Sequence, residues 1–205
     1  MPATKNKIIE ISERLFFEQG IANIRLQQIA DGAGISVGNL AYHFKNKDAI
    51  VQAVYEDLFS QMANILSQYT ANPKLAGFNQ QFSALYNFYQ QNNFTFNNSW
   101  EIDRNYPEIQ KEWLSATNKV LLQLQKRIEF NIKEGVMRAG PWKNAAEKLA
   151  QHLLLAINCW IPQQMLRGKP VTEELFCQNL WHIIWPFLTE KGIAEYEQTI
   201  SPINR

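Results

Sequence analysis

Cysteine is scarce. Cys159 and Cys177 are the only two in 205 residues, too few for the disulfide framework of a small secreted scaffold. Long hydrophobic runs are missing as well. The longest nearly apolar stretch, residues 153–161, is interrupted by Asn158, whereas a membrane-spanning helix needs about 20 such residues. The opening residues MPATKNKIIEISER hold no apolar core of signal-peptide type. These features predict a cytoplasmic chain with no membrane partner. Neither sign of charge dominates: 20 basic against 19 acidic residues leave a net +1, which excludes a polybasic, histone-like protein. Glycine numbers only nine, and Gly20, Gly32, Gly34 and Gly38 fall close together near the amino end. Downstream, glycine is sparse and apolar residues recur at helical spacing. No run of short alternating strands and no internal repeat is visible. The fold class expected is all-α.

The periodicity predicts a first helix over about 5–19, with Ile8, Ile9, Ser12, Leu15 and Phe16 on one stripe. Short helices follow over about 26–32 and 36–44, Ser36 being a suitable N-cap for the latter. A long helix is expected over about 47–69, stopped by Asn72-Pro73. Further helices are expected near 74–91, 98–105, 108–134, 142–166 and 171–189. Pro162 and Pro186 fall inside two of these patterns and predict kinks or early ends. With no flexible linker in view, the division expected is a three-helix domain over 1–48 and a larger helical domain over 49–205.

The chemistry is concentrated in residues 26–47, LQQIADGAGISVGNLAYHFKNK. Ala30 is small enough to let a second helix cross closely. Gly34, four residues on, permits a sharp turn where a Cβ would be strained. Ala33, Ile35 and Leu40 are placed to bury the joint. The result is a helix-turn-helix whose second helix projects and suits the major groove, about 12 Å wide, of duplex DNA. That helix offers Ser36, Val37, Gly38, Asn39, Ala41, Tyr42 and His43. An asparagine grips adenine through two hydrogen bonds, and alanine or valine meets a thymine methyl. Lys45 and Lys47 stand at the start of the next helix, where lysines and free backbone N–H groups suit phosphate. Arg25, just before the supporting helix, and Gln27, on it, complete the expected DNA-binding set.

Taken in order, Phe16, Gly20, Ile29-Ala30, Ala33-Gly34-Ile35-Ser36, Gly38, Leu40, Phe44 and Lys47 match the amino-terminal signature of one family. The chain resembles a TetR/AcrR-family transcriptional regulator over roughly a quarter of its length. The resemblance implies a palindromic operator in double-stranded DNA, a homodimer and a small-molecule effector. The function it implies is most readily a repressor released by its ligand. The alternatives are a ligand-dependent activator or corepressor-type regulator, or a helical ligand-binding protein whose DNA-binding motif is vestigial. Three departures from the family pattern stand out. The usual threonine before the second helix is replaced by Ile24-Arg25, leaving Arg25 to meet phosphate or Asn23 to cap the helix. The tyrosine usual after Leu40 is Ala41, with Tyr42 one place later. Gly38 leaves the start of the recognition helix open by one position. Residues 1–50 carry six basic and five acidic side chains. So weak a footprint calls for two copies acting together.

The remainder is less specific. Residues 78–113 hold ten of the chain's 25 aromatic residues, and aromatic walls with a few polar groups suit a small-molecule pocket. The expected lining is Leu58, Met62, Phe82, Tyr86, Tyr89, Trp100, Arg104 and Trp113. The last two long helices are apolar on more than one face, which suits pairing with a second subunit. Leu153, Ile157, Trp160, Trp181, Ile184 and Trp185 are the expected dimer contacts. His152, Cys159, Cys177 and His182 are poorly spaced for a metal, buried cysteine being commonly a small hydrophobe. No metal, cofactor or catalytic constellation is expected, so the chain does not read as an enzyme.

Overall fold

The computed structural model describes residues 2–92, 102 and 104–200. Among them every regular element is helical: α1 (Pro2–Gln19), α2 (Leu26–Ala33), α3 (Val37–His43), α4 (Lys47–Ala71), α5 (Leu75–Gln91), α6 (Pro107–Lys133), α7 (Ala145–Leu166), α8 (Glu173–Ile184), a 3-10 turn (Trp185–Phe187) and α9 (Glu190–Thr199). An isolated antiparallel bridge joins Met137 to Leu188. No described helix is long and apolar enough to cross a membrane. The expected helix near 98–105 falls largely outside the described residues.

The chain forms two compact units. One comprises Met1–Gln61 and Gln91–Ser115, the other Met62–Gln90 and Ala116–Arg205. The division runs through α4 and α6.

The first unit is built on Ile8, Phe16, Ile21, Ile24, Ile29, Leu40, Ile50, Val51 and Val54, all essentially without exposure. Asn46 starts α4, its Oδ1 accepting the Ala49 N–H at 2.9 Å. Phe59 packs against Tyr55 and Trp113 with ring centroids 6.3 and 6.2 Å away. The Tyr106 hydroxyl donates to Asp48 Oδ1 at 3.0 Å.

The second unit buries Phe78, Phe82 and Leu85 of α5, Leu124 and Ile128 of α6, Leu153, Ile157 and Ile161 of α7, and Phe176, Leu180 and Ile184 of α8. Its end departs from the periodicity. α8 stops at Ile184, and Pro186 falls in the 3-10 turn, which needs one fewer backbone donor in that place. Pro162 does not end α7, which continues one turn to Leu166 and closes with the Arg167 N–H on Gln163 and Gln164 carbonyls. α9 was not expected at all. Its signal is Thr189, whose hydroxyl accepts the Gly192 N–H at 3.2 Å as an N-cap.

Candidate nucleic-acid interface

The corner between α2 and α3 is assembled by backbone chemistry. α2 ends with the Gly34 N–H on the Asp31 carbonyl at 3.1 Å and the Ile35 N–H on the Ala30 carbonyl at 3.0 Å. This paired closure puts Gly34 in the left-handed region, at φ 70°, where a side chain would be strained. A Cβ on neighbouring Gly32 would stand 2.7 Å from the Ile11 side chain, so α1 and α2 approach too closely for alanine. Ile29, Ala30, Ala33 and Leu40 seal the joint, each at most 2% exposed. Ser36 caps α3, its hydroxyl accepting the Asn39 N–H at 3.1 Å. The start of α3 at Val37 settles the register that Gly38 left open.

The other side of the corner faces solvent. Arg25, Gln27, Ser36, Gly38, Asn39, Ala41, Tyr42 and Lys45 are exposed, while Val37 and His43 are half-buried. Tyr42 is 72% exposed, a large figure for an aromatic residue on a folded helix, and its ring meets His43 edge-on at 5.3 Å. Gln27 is partly committed, its Nε2 donating to Asp31 Oδ1 at 2.7 Å. Lys5 lies over the Phe44 ring, 5.6 Å from its centroid.

Two rim residues are engaged within the first unit. Lys47 is half-buried. Its Nζ donates to the Ile21 carbonyl at 2.7 Å and the Ile24 carbonyl at 3.1 Å, with Ala22 at 3.4 Å. The cation thus ties the start of α4 to the turn between α1 and α2. Asn23 does not cap α2. Its Nδ2 donates back to the Gln19 carbonyl at 2.7 Å, while Gln28 Oε1 accepts the Arg25 N–H at 2.8 Å. Gln28 therefore satisfies the backbone N–H of Arg25 at the start of α2, and the Arg25 side chain stays exposed.

One feature of the first unit had no sequence signal. Glu13 of α1 is half-buried, and its carboxyl is pushed up to about 7 by burial first, then by the Asp57 and Glu10 carboxylates. Glu13 and Asp57 are 44 positions apart, and nothing in their local patterns announces that they meet.

The residues expected to line a pocket are distributed over both units. Leu58 is buried in the first unit, where Trp113 is half-buried and Arg104 exposed; Met62, Phe82 and Tyr89 are buried in the second. Trp100 lies outside the described residues. The Tyr86 hydroxyl donates to the Val171 carbonyl at 3.1 Å, and that of Tyr89 to Asn158 Oδ1 at 2.7 Å. Burial raises the Tyr89 phenol, with the Cys159 thiol adding to the effect.

The residues expected at a dimer contact differ in exposure. Leu153, Ile157, Trp181 and Ile184 are at most 3% exposed and fill the core of their own chain. Trp160 and Trp185 are half-buried, their rings packed on Phe176 and Tyr196 respectively. The apolar residues that α7 and α8 turn outward are Leu155, Met165, Leu166 and Leu175. No group of three or more metal-ligating side chains converges among the described residues.

Comparison with known proteins agrees with this geometry. Residues 8–54 match the family model for bacterial regulatory proteins of the tetR family, and residues 56–196 match that for a bacterial transcriptional repressor. The regulator TtgR of Pseudomonas putida is 42% identical over 55 residues, 27% of this chain and 26% of that protein. The chain thus matches only about a quarter of that relative's length. The repressor KstR2 of Mycobacterium tuberculosis is 32% identical over 197 residues, covering 92% of this chain and 94% of its own. Among solved structures, a TetR-family regulator from Marinobacter aquaeolei superposes with a TM-score of 0.80 at 20% identity, over 95% of this chain and 98% of that one. A SmeT–triclosan complex gives 0.69 at 16% identity, over 92% and 93%. The corner of α2 and α3, the all-helical fold and the two matched segments lead to one conclusion: this chain belongs to the TetR family of DNA-binding bacterial transcriptional regulators.

Proposed function

We propose that the protein is a homodimeric repressor that leaves a palindromic operator when a small molecule binds its larger helical part. The observation that carries the DNA-binding half is the exposed face of α3, where Asn39, Ala41 and Tyr42 stand clear of the core. Ser36, Val37, Gly38 and His43 complete the base-facing surface, while Arg25, Gln27 and Lys45 meet the sugar-phosphate backbone. Seven residues of α3 from one copy read only a half-site. The net +1 over residues 1–50 supports the need for two copies, since affinity scales with the phosphates neutralised. Leu155, at 61% exposure, and Leu166, at 82%, on α7, with Leu175, at 39%, on α8, support pairing through the outward faces of these helices.

Repression is supported by the KstR2 relative and by the repressor model matched over 56–196. A small-molecule effector is supported by the triclosan held by SmeT, a protein of the same fold. α4 is continuous from Lys47 to Ala71, so a ligand that favours a different inclination of α4 alters the spacing of the two α3 helices. DNA requires that spacing to be about 34–36 Å, one helical turn. A coupling of roughly 1–3 kcal/mol suffices for such a switch.

The test uses duplexes selected from a random pool. Asn39→Ala and Tyr42→Ala each weaken binding to the selected site by at least about five-fold, with a smaller loss on unrelated duplex. Unchanged affinity in both variants defeats the assignment of α3 as the reading helix. Ligand titration then separates release from strengthened binding by the sign of the change.

A further inference from the structure

We propose that Lys5 and Lys7 of α1 are two further DNA contacts, which hold the phosphate backbone beside both ends of the base-reading helix α3. The inference rests on the DNA-binding half of the proposed function and adds to it residues outside the α2–α3 corner. Placement is the first observation. Lys7 is exposed, and its Nζ stands 3.8 Å from where a Cβ on Gly34 would be. Gly34 is itself exposed, two residues before the Ser36 cap of α3. Lys5 is exposed too, and its Nζ lies 5.6 Å from the ring centroid of Phe44, the residue that closes α3. One lysine of α1 thus stands at each end of α3, and Lys45 follows Phe44 directly.

Charge is the second observation, because α1 is polarised along its length. Residues 1–9 carry Lys5 and Lys7 and no acidic side chain, whereas residues 10–19 carry Glu10, Glu13 and Glu18 against Arg14. A helix by itself favours the reverse. Its N-terminus is the positive end of the backbone dipole, where carboxylates stabilise and cations do not. The first turn of α1 nevertheless holds no acidic residue. Among the described residues neither ammonium donates to a protein acceptor, in contrast to that of Lys47 on the Ile21 and Ile24 carbonyls. Two solvated cations placed against the dipole, at the two ends of α3, match an anionic partner that lies along that helix. The ammonium, a flexible point charge, suits a phosphate contact that positions the duplex without reading its sequence. With Arg25 and Lys45 they bring the cations that one copy offers to phosphate to at least four.

The test follows binding of the full-length protein to a generic duplex by anisotropy over a range of salt. Lys5→Gln/Lys7→Gln flattens the plot of log affinity against log salt by about 1.8, and each single variant by about 0.9. Affinity falls by the same factor on the selected site and on unrelated duplex. Lys5→Arg/Lys7→Arg keeps the original slope. So does Arg14→Ala, an exposed cation on the acidic half of the same helix. The thermal midpoint of the double glutamine variant does not fall, because cations leave the positive end of α1. The proposal is overturned if the glutamine variants keep the slope of the unaltered protein. It is also overturned if Arg14→Ala flattens the slope as much as a single glutamine variant, or if the loss is confined to the selected site. An unaltered protein that binds no duplex at any salt overturns it together with the DNA-binding reading, whereas binding with unchanged slopes overturns it alone.

Discussion

Replacing Lys47 with methionine separates two readings of the same residue. Methionine keeps an unbranched stem and good helix propensity but removes every donor. The structure spends those donors on the Ile21 and Ile24 carbonyls at 2.7 and 3.1 Å, both partly buried. A hydrogen bond from a charged donor contributes a net of about 1.5–3 kcal/mol. Two bonds at the lower figure amount to about 3 kcal/mol, and solvent access to the half-buried amine reduces this to about 1.5–3 kcal/mol. A chain of this size loses about 2–4 °C of melting temperature per kcal/mol, so a fall of several degrees is expected. Urea unfolding of the full chain measures the loss directly. Binding to a generic 30-base-pair duplex, followed by anisotropy from low to moderate salt, measures the rest. A residue that neutralises a phosphate flattens the plot of log affinity against log salt by about 0.9 when removed. For Lys47→Met the slope stays unchanged, and any loss of affinity is uniform across salt. Unaltered stability together with a slope flatter by about one refutes the tether.

Three further outcomes follow from the same surfaces. Lys45→Ala, an exposed residue at the rim, flattens that salt slope by about one and leaves stability within about 0.5 kcal/mol. Gly38→Ala has no close neighbour to strike beyond Ser36 Oγ at 3.8 Å, so helix propensity alone stabilises the protein by about 0.5–1 kcal/mol; weakened operator binding in that more stable variant identifies a close DNA approach at Gly38. For Glu13, the folded carboxyl holds its proton more tightly than the unfolded one. Its contribution is therefore full below the ordinary value of 4.5 and is lost as pH rises through about 7. Glu13→Gln removes this loss and stabilises the protein above pH 7, by about 1–2 kcal/mol after allowance for the exposed part of the side chain. Denaturant midpoints of the two proteins at pH 5 and pH 8 check it, and parallel pH dependence contradicts it.

The corner of α2 and α3 was legible because each of its residues answers a local demand. Gly34 is needed for a left-handed closure, Ser36 for a cap, and Ala30 and Leu40 for a tight crossing; all are satisfied within a dozen residues. The tether made by Lys47 was not legible, because a lysine beside a helix start looks the same whether it faces phosphate or a carbonyl 26 positions back. The outward face of α7 was not legible for a related reason. On α7 and α8 apolar residues surround the axis, so pattern alone does not say that Leu153 and Ile157 turn inward while Leu155 and Leu166 turn out. The cluster of Trp181, Trp185 and Tyr196 depends on α9, whose short amphipathic pattern after Pro186 is too weak to register beside the longer helices. Asp57 comes to act on the Glu13 carboxyl only through the folding of the first unit.

The central claim is that α3 reads duplex DNA in two copies. Selection of bound duplexes from a random pool by the full-length protein in dilute buffer, followed by sequencing, tests it most directly. The account predicts an enriched inverted repeat whose half-site centres lie about 10–10.5 base pairs apart, or a multiple of that, and which Asn39→Ala no longer enriches. A pool that emerges without any preferred sequence, or the same enrichment with and without Asn39, contradicts it.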